Sequence, residues 1–235
     1  MYRFKKLWMD LFGYPNNDLT ALRSDTDTYW AARRKDLSKL SAWQQERAHL
    51  IEKFVPKGAY TLADVGCGGP GLILFLKERT ALVNAVGYDN SSWVLDTLKE
   101  HGVEGRSVVL DTEEGISTIE AADVVTLMEI IEHIPHAESL VQSVYAKASH
   151  GVIFSVPNTG YVVYRLRLLF GRFPMQWKVH PGEHVRFWTL TDMKWWLGSM
   201  GHTNYTIITY RGVPILNKIV PSLFAAGLVV YLPKA

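Results

Sequence analysis

The feature that most constrains this chain is the stretch Leu62-Ala63-Asp64-Val65-Gly66-Cys67-Gly68-Gly69-Pro70-Gly71. An apolar run enters an acidic residue, passes four glycines and continues into the helix-like run Leu72 to Leu76. This order predicts a strand, a tight loop and a helix start. Gly66 and Gly68 lack a Cβ, so the backbone can turn sharply and approach a ligand closely. The free N–H groups of the helix start favour a polar or anionic ligand group. The next apolar run closes on Val86-Gly87-Tyr88-Asp89. A carboxylate at the tip of a second strand is placed to accept hydrogen bonds from two ribose hydroxyls, with Asn90 beside it.

Other nucleotide-binding loops are spelled differently. A dinucleotide loop reads G-x-G-x-x-G, and a P-loop ends in Gly-Lys-Ser/Thr. Here Asp64 stands in front of G-x-G and no such lysine follows. The segment resembles motif I of the class I S-adenosylmethionine (SAM) methyltransferases. One position departs from that pattern, since Pro70 stands where the family usually has a third glycine. Gly71 is carried over as a cofactor residue on the reading that the loop is one residue longer.

The 235 residues suit one domain with an appendage. A net charge of +2 argues against broad nucleic-acid binding, and a double-stranded RNA acceptor is a weak idea for the same reason. The lone cysteine, Cys67, excludes an internal disulfide and fits a reducing compartment. It reads as a packing residue rather than a nucleophile, because reactivity needs a shifted thiol pKa. No signal peptide is apparent and no apolar run reaches the ~18–20 residues of a membrane span, so the cytoplasm is the default expectation.

From residue 60 the chain alternates. Strands are expected at 60–65, 82–88, 106–110, 122–128 and 150–156, and helices at 71–79, 91–101 and 136–148, with a shorter turn near 113–119. Such alternation implies a parallel sheet with helices on both faces, with ligands at the carboxyl ends of the strands. A helix at 189–199 and an antiparallel pair at 203–210 and 226–232 close the chain. The fold class is therefore α/β: a Rossmann-like, seven-stranded, mostly parallel sheet. Residues 1–55 read as an N-terminal helical extension and 56–235 as the SAM-binding domain, with an acceptor-pocket insertion at 157–187. Tyr2, Phe4, Leu7, Trp8, Leu11 and Phe12 recur at helical spacing with Lys5 and Lys6 among them. That pattern fits a helix packed on its own domain or a peripheral membrane contact through residues 1–12.

The resemblance distributes cofactor contacts along the rim. Asp64 orders the glycine loop of Gly66, Cys67, Gly68 and Gly71 and faces the ligand ammonium. Asp89 and Asn90 take the ribose, Asp111 and Thr112 the adenine, and Met128 and Glu129 the methionine moiety. Tyr29-Trp30, with Arg33 and Arg34, resembles an element that closes over the cofactor carboxylate, and serves equally well as a helix-packing pair.

A second cluster is Glu129-Ile130-Ile131-Glu132-His133. In a helical turn Glu129, Glu132 and His133 would share one face. Three readings are open: pocket structure; His133 as general base oriented by Glu132; or Glu129, Glu132, His133 and His184 as ligands of Mg²⁺ or Mn²⁺. E-x-x-E-H resembles a motif of metal-dependent ubiquinone-pathway O-methyltransferases and small-RNA 2′-O-methyltransferases. It also occurs in methyltransferases without metal.

The remainder, Val156-Pro157-Asn158 through His184-Val185-Arg186-Phe187-Trp188-Thr189, resembles the MetW-like branch. That resemblance implies methyl transfer, here expected to an oxygen of a small-molecule or carbohydrate-like acceptor. Arg165, Arg167, Arg172, Lys178 and Arg186 would hold an anionic acceptor, or form the solvated face of an amphipathic helix. A SAM-binding partner protein without catalysis remains a rival. A nicotinamide oxidoreductase is disfavoured by the loop spacing.

Overall fold

The central strands are apolar at consecutive positions, and the computed structural model shows why. It describes residues 8, 11–13, 36–174, 176 and 181–234. Seven strands, β1 (Tyr60–Val65), β2 (Leu82–Asp89), β3 (Glu104–Ser107), β4 (Ala122–Met128), β5 (Ala148–Pro157), β6 (Thr206–Tyr210) and β7 (Gly227–Pro233), form one sheet. The order is β3-β2-β1-β4-β5-β7-β6, with β7 antiparallel to both its neighbours and the remaining pairs parallel. The expected fold class is the one observed.

Side chains alternate between faces with the pleat. Ala63, Val65, Val125, Leu127, Val152, Phe154 and Val230 face one core, while Leu62, Val124, Ile153 and Val229 face the other. Helices α4 (Glu113–Ser117), α5 (Ala137–Lys147) and α7 (Leu190–Ser199) cover the first face through Ile116, Leu140, Val144, Met193 and Leu197. Helices α1 (Ala42–Ile51), α2 (Gly71–Arg79) and α3 (Ser92–Glu100) cover the second through Ala48, Ile51, Ile73, Leu76, Val94 and Leu98. Residues 37–55 thus share the sheet's own core.

β1, β4 and α2 have the expected bounds. β3 does not: it pairs with β2 through Glu104 to Ser107, ahead of the apolar run anticipated at 106–110. As an edge strand it is mostly exposed, and the apolar Val108 turns into the core from the loop beyond it. Two one-turn helices, α8 (Leu216–Ile219) and α9 (Pro221–Phe224), occupy the connection from β6 to β7. The insertion leaves and returns at a bridge between Asn158 and Trp188, and carries α6 (Val162–Leu169). Among the described residues, no helix is long and apolar enough to cross a membrane.

Candidate functional site

Parallel pairing of β1 to β5 brings their carboxyl ends to one rim. Asp64 lies at the end of β1, opposite Thr126 of β4. One carboxylate oxygen accepts a 2.7 Å hydrogen bond from the Thr126 hydroxyl. The other is buried with no hydrogen-bond partner. Burial pushes this carboxyl up to about 7, the Thr126 hydroxyl pulls it down, and neighbouring Asp89 adds to the rise.

The glycine loop begins where β1 ends. Gly66 adopts φ 67° and Gly68 φ 59°, the left-handed region that glycine enters without steric cost. Asp89, at the end of β2, braces this loop: its oxygens accept from the Gly68 N–H (2.9 Å) and the Ser91 N–H (3.0 Å). Cys67 sits against Gly87, and burial pushes its thiol well up, with Asp64 and Asp89 adding to the effect. Such a thiol packs; it does not attack.

The glycines on either side of Pro70 face the chain itself. A Cβ on Gly69 would lie 2.7 Å from Leu37 Cβ and 2.9 Å from the Leu37 carbonyl. One on Gly71 would lie 2.8 Å from Leu40 and 3.2 Å from the Ser38 carbonyl. The last two glycines therefore admit the chain's own segment 37–40. Gly71, expected at the cofactor, opens α2 beneath that segment.

Farther along the rim the expected residues divide. Asn90 and Asp111 are exposed beside the ends of β2 and β3. Thr112 caps α4, accepting from the Gly115 N–H at 3.1 Å, so its hydroxyl serves the loop rather than a ligand in this conformation. Met128 ends β4, partly buried against the α1/α2 core. Tyr29, Trp30, Arg33, Arg34 and Lys178 lie outside the described residues.

Glu129 departs from the expected shared face. Its φ of 58° is uncommon for a non-glycine residue and interrupts the turn before it can become helical. Its N–H donates to the Ser155 carbonyl, and its carboxylate accepts from the Ser155 hydroxyl at 2.8 Å. The same carboxylate pairs with Arg47 of α1 at 3.0 Å, and the Tyr210 hydroxyl stands 3.4 Å away. Arg47 is buried, four residues before buried Ile51 on the inward stripe of α1. Sequence reasoning missed it, although an arginine on an otherwise apolar stripe was the available signal.

The 3₁₀ turn Ile131–His133 then assembles the second cluster. Glu132, His133 and His184 each offer an atom within 4.8 Å of the others, and Glu129 is not in this group. The expected quartet is thus a trio among the described residues. Glu132 is buried, and neither of its carboxylate oxygens has a hydrogen-bond partner. Burial raises its pKa well above the carboxylate range, Glu129 adds to this, and Arg47 opposes it. His133 Nδ1 meets the Glu183 carbonyl, which only accepts, so Nδ1 carries the hydrogen and Nε2 the lone pair. The Val185 and Arg186 N–H groups donate to the Glu132 carbonyl and fold the segment carrying His184 over the turn. The His133 and His184 rings meet edge to face, 4.7 Å between centroids.

The cations of the insertion are engaged by the protein. Arg186 pairs with Glu138 and donates to the Pro135 carbonyl at 2.8 Å. Arg167 is fully buried and donates to the carbonyls of Phe173 and Gly13. Arg165 donates to the Gly160 carbonyl at 2.7 Å and stays exposed.

Residues 24–207 match the family described as methyltransferase domain. A ubiquinone biosynthesis O-methyltransferase of Pseudomonas fluorescens is 26% identical over 83% of this chain and 87% of its own. That of Hydrogenovibrio crunogenus is 31% identical over 52% of this chain, and the match spans about half (53%) of that relative's length. The fold is similar to that of a SAM-dependent methyltransferase from Archaeoglobus fulgidus (TM-score 0.61, 16% identity, 88% of this chain and 100% of the other). It is also similar to that of magnesium protoporphyrin IX methyltransferase from Synechocystis PCC 6803, solved with bound SAH (TM-score 0.57, 13% identity, full coverage of both). With the strand order, the braced glycine loop and the family match in agreement, the chain belongs to the class I SAM-dependent methyltransferases.

Proposed function

We propose that this chain transfers the methyl group of SAM to an oxygen of a small-molecule or carbohydrate-like acceptor. The observation that carries the reading is the trio of buried Glu132 with half-buried His133 and His184, beside the tip of β4 and under the returning end of the insertion that follows β5. SAM supplies an electrophilic methyl group, and the protein's task is alignment and proton removal. With the hydrogen on His133 Nδ1, Nε2 carries the lone pair and would be the atom that takes the acceptor's proton. Glu132, with an oxygen within 4.8 Å of a His133 ring nitrogen, would stabilise the imidazolium that follows. His184, on the segment closing over the turn, bounds the acceptor pocket.

The donor set around the glycine loop fits the cofactor. The orphaned, buried oxygen of Asp64 suits a ligand ammonium, and Asp89 suits the ribose. Gly66, Cys67 and Gly68 give the close backbone approach. Asn90 and Asp111 flank the adenine side, with Thr112 needing to release its cap to join them. Met128, with Glu129 and its partner Arg47, borders the methionine end. A buried guanidinium there can also meet the cofactor carboxylate.

A second reading follows from the same trio. One carboxylate and two imidazoles suit Mn²⁺ better than Mg²⁺, which prefers oxygen donors. A cation held by Glu132, His133 and His184 would lower the pKa of the acceptor hydroxyl. The buried, unpartnered Glu132 carboxylate fits that role, and Glu129 stays with Arg47 in either case.

The first test is calorimetric titration with S-adenosylhomocysteine on chelator-treated protein, followed by an acceptor screen with and without Mg²⁺ or Mn²⁺. Micromolar binding and methyl transfer lost in His133→Ala, with cofactor affinity intact, would support the enzyme reading. Cofactor binding without transfer to any hydroxyl acceptor would favour a SAM-binding partner protein.

A further inference from the structure

Helix α6 is packed inside out. Its one buried side chain is Arg167, at 0% exposure, while Leu168 and Leu169 stand 53% and 75% exposed. Phe170 and Phe173, just beyond it, are also more than half exposed. A helix folded for water alone buries its leucines and exposes its arginine. Arg167 is held by the carbonyls of Gly13 and Phe173, which fixes the helix in this orientation.

The N-terminal segment extends the same surface. Phe12 packs against Phe170 at 5.3 Å between centroids, and exposed Trp8 against Phe12 at 6.0 Å. Arg172 lies over the Phe12 ring at 5.8 Å. Two segments some 150 residues apart thus build one apolar patch, a size of feature that marks interaction sites. Near the base of α6, where Gly160 abuts the Ser222 carbonyl of α9, the adjoining α8 turn exposes Ile215, Ile219 and Val220 beside Lys218. Ile215 holds φ 70°, a strained conformation for a β-branched residue at an exposed tip.

Charge selects the partner. Residues 161–181 and 193–235 contain no Asp or Glu, while Arg165, Arg172 and Lys218 border the exposed apolar side chains. Apolar side chains of α6 and α8 edged by cations, with no acid in either helix and Asp10 alone between Trp8 and Phe12, match the interface of an anionic bilayer. We propose that α6 with Trp8 and Phe12, flanked by α8, docks this chain on an anionic lipid surface. This inference is independent of the proposed chemistry, because docking needs neither cofactor nor acceptor.

The test is co-sedimentation of the full chain with vesicles of phosphatidylcholine, with and without phosphatidylglycerol, at low and high salt. Binding to the anionic vesicles that weakens with salt is expected. Leu168→Glu with Leu169→Glu should lower that partitioning at least about tenfold, since both side chains would otherwise enter the interface. Glutamate keeps the helix propensity, and unchanged thermal melting and S-adenosylhomocysteine binding check the fold. Val83→Glu makes the same change at an exposed valine near the amino-terminal end of β2 and should leave binding intact. Three results would overturn the proposal: no binding to anionic vesicles, equal loss in Val83→Glu, or a dimer that the double variant dissociates while vesicle binding persists.

Discussion

At the β1–β2 end of the rim the polar groups are braced by neighbours in the fold: Asp89 by the Gly68 and Ser91 N–H groups, and one oxygen of Asp64 by Thr126. At the β4–β5 end the backbone is strained at Glu129, and Glu132 is buried without a hydrogen-bond partner. The first end is a preformed cradle. The second leaves both oxygens of Glu132, against one of Asp64 at the first, for a ligand, a proton or a cation to satisfy. Binding a cofactor common to a family and reacting with a particular acceptor are different tasks, and the two ends are built accordingly.

The largest expected effect separates the two ends directly. His133→Ala should lower turnover about 10²–10⁴-fold, the range for a lost general base, with S-adenosylhomocysteine affinity unchanged by calorimetry. A parallel loss of cofactor affinity would mean that the two ends act as one.

Asp64 gives the next test. Its folded carboxyl, raised to about 7, is protonated more readily than the unfolded one near 3.8. The stability this contributes is fully present below the unfolded value and is lost as pH rises through the folded one. The interval corresponds to at most about 4 kcal/mol. Urea unfolding of the cofactor-free chain from pH 4 to 8 should show that decline, and Asp64→Asn should flatten it. Glu132, raised by burial in the same direction, retains its own contribution in the variant. A pH profile unchanged by Asp64→Asn would mean that the cradle contains no orphaned acid.

Arg47 joins the two ends, because it reaches Glu129 from a helix that covers β1. Arg47→Met should cost about 3 kcal/mol in urea unfolding, the lower end of the range for breaking a buried pair, since Glu129 keeps some solvent contact. If Glu129 holds its strained conformation without Arg47, the cost will be smaller and turnover will survive.

The cradle was legible in the sequence because it obeys local rules: an apolar run, an acid, glycines where φ turns positive, and a helix start within a few residues. The β1 and β4 bounds were legible for the same reason, as buried strands with turn signals at their ends. The other end depends on contacts distant in sequence. Nothing near Glu129 announces that Arg47, more than 80 residues away, will draw it from the face it shares with Glu132. The cations of the insertion looked like anion ligands because composition does not reveal that Arg167 and Arg186 close on carbonyls and on Glu138. Gly71 looked like a ligand glycine because the sequence does not say which backbone approaches it, and here it is segment 37–40.

The smallest expected effect is at Arg186. Its guanidinium pairs with Glu138, which also accepts from the Trp196 indole N–H, and donates to the Pro135 carbonyl. These contacts tie the segment carrying His184 to α5 and α7. The pair is partly exposed, so its loss should cost only about 1 kcal/mol of stability. Its leverage on chemistry should be greater, because His184 lies two residues away and a misplacement of about 1 Å can cost ~10²-fold in rate. Arg186→Gln should therefore lower kcat by more than its stability change suggests, leave S-adenosylhomocysteine binding unchanged, and be largely restored by Arg186→Lys. A selective rise in the acceptor KM with kcat intact would instead make Arg186 an acceptor ligand. The two ends would then differ less than the geometry indicates, each holding its ligand through a charge the fold supplies.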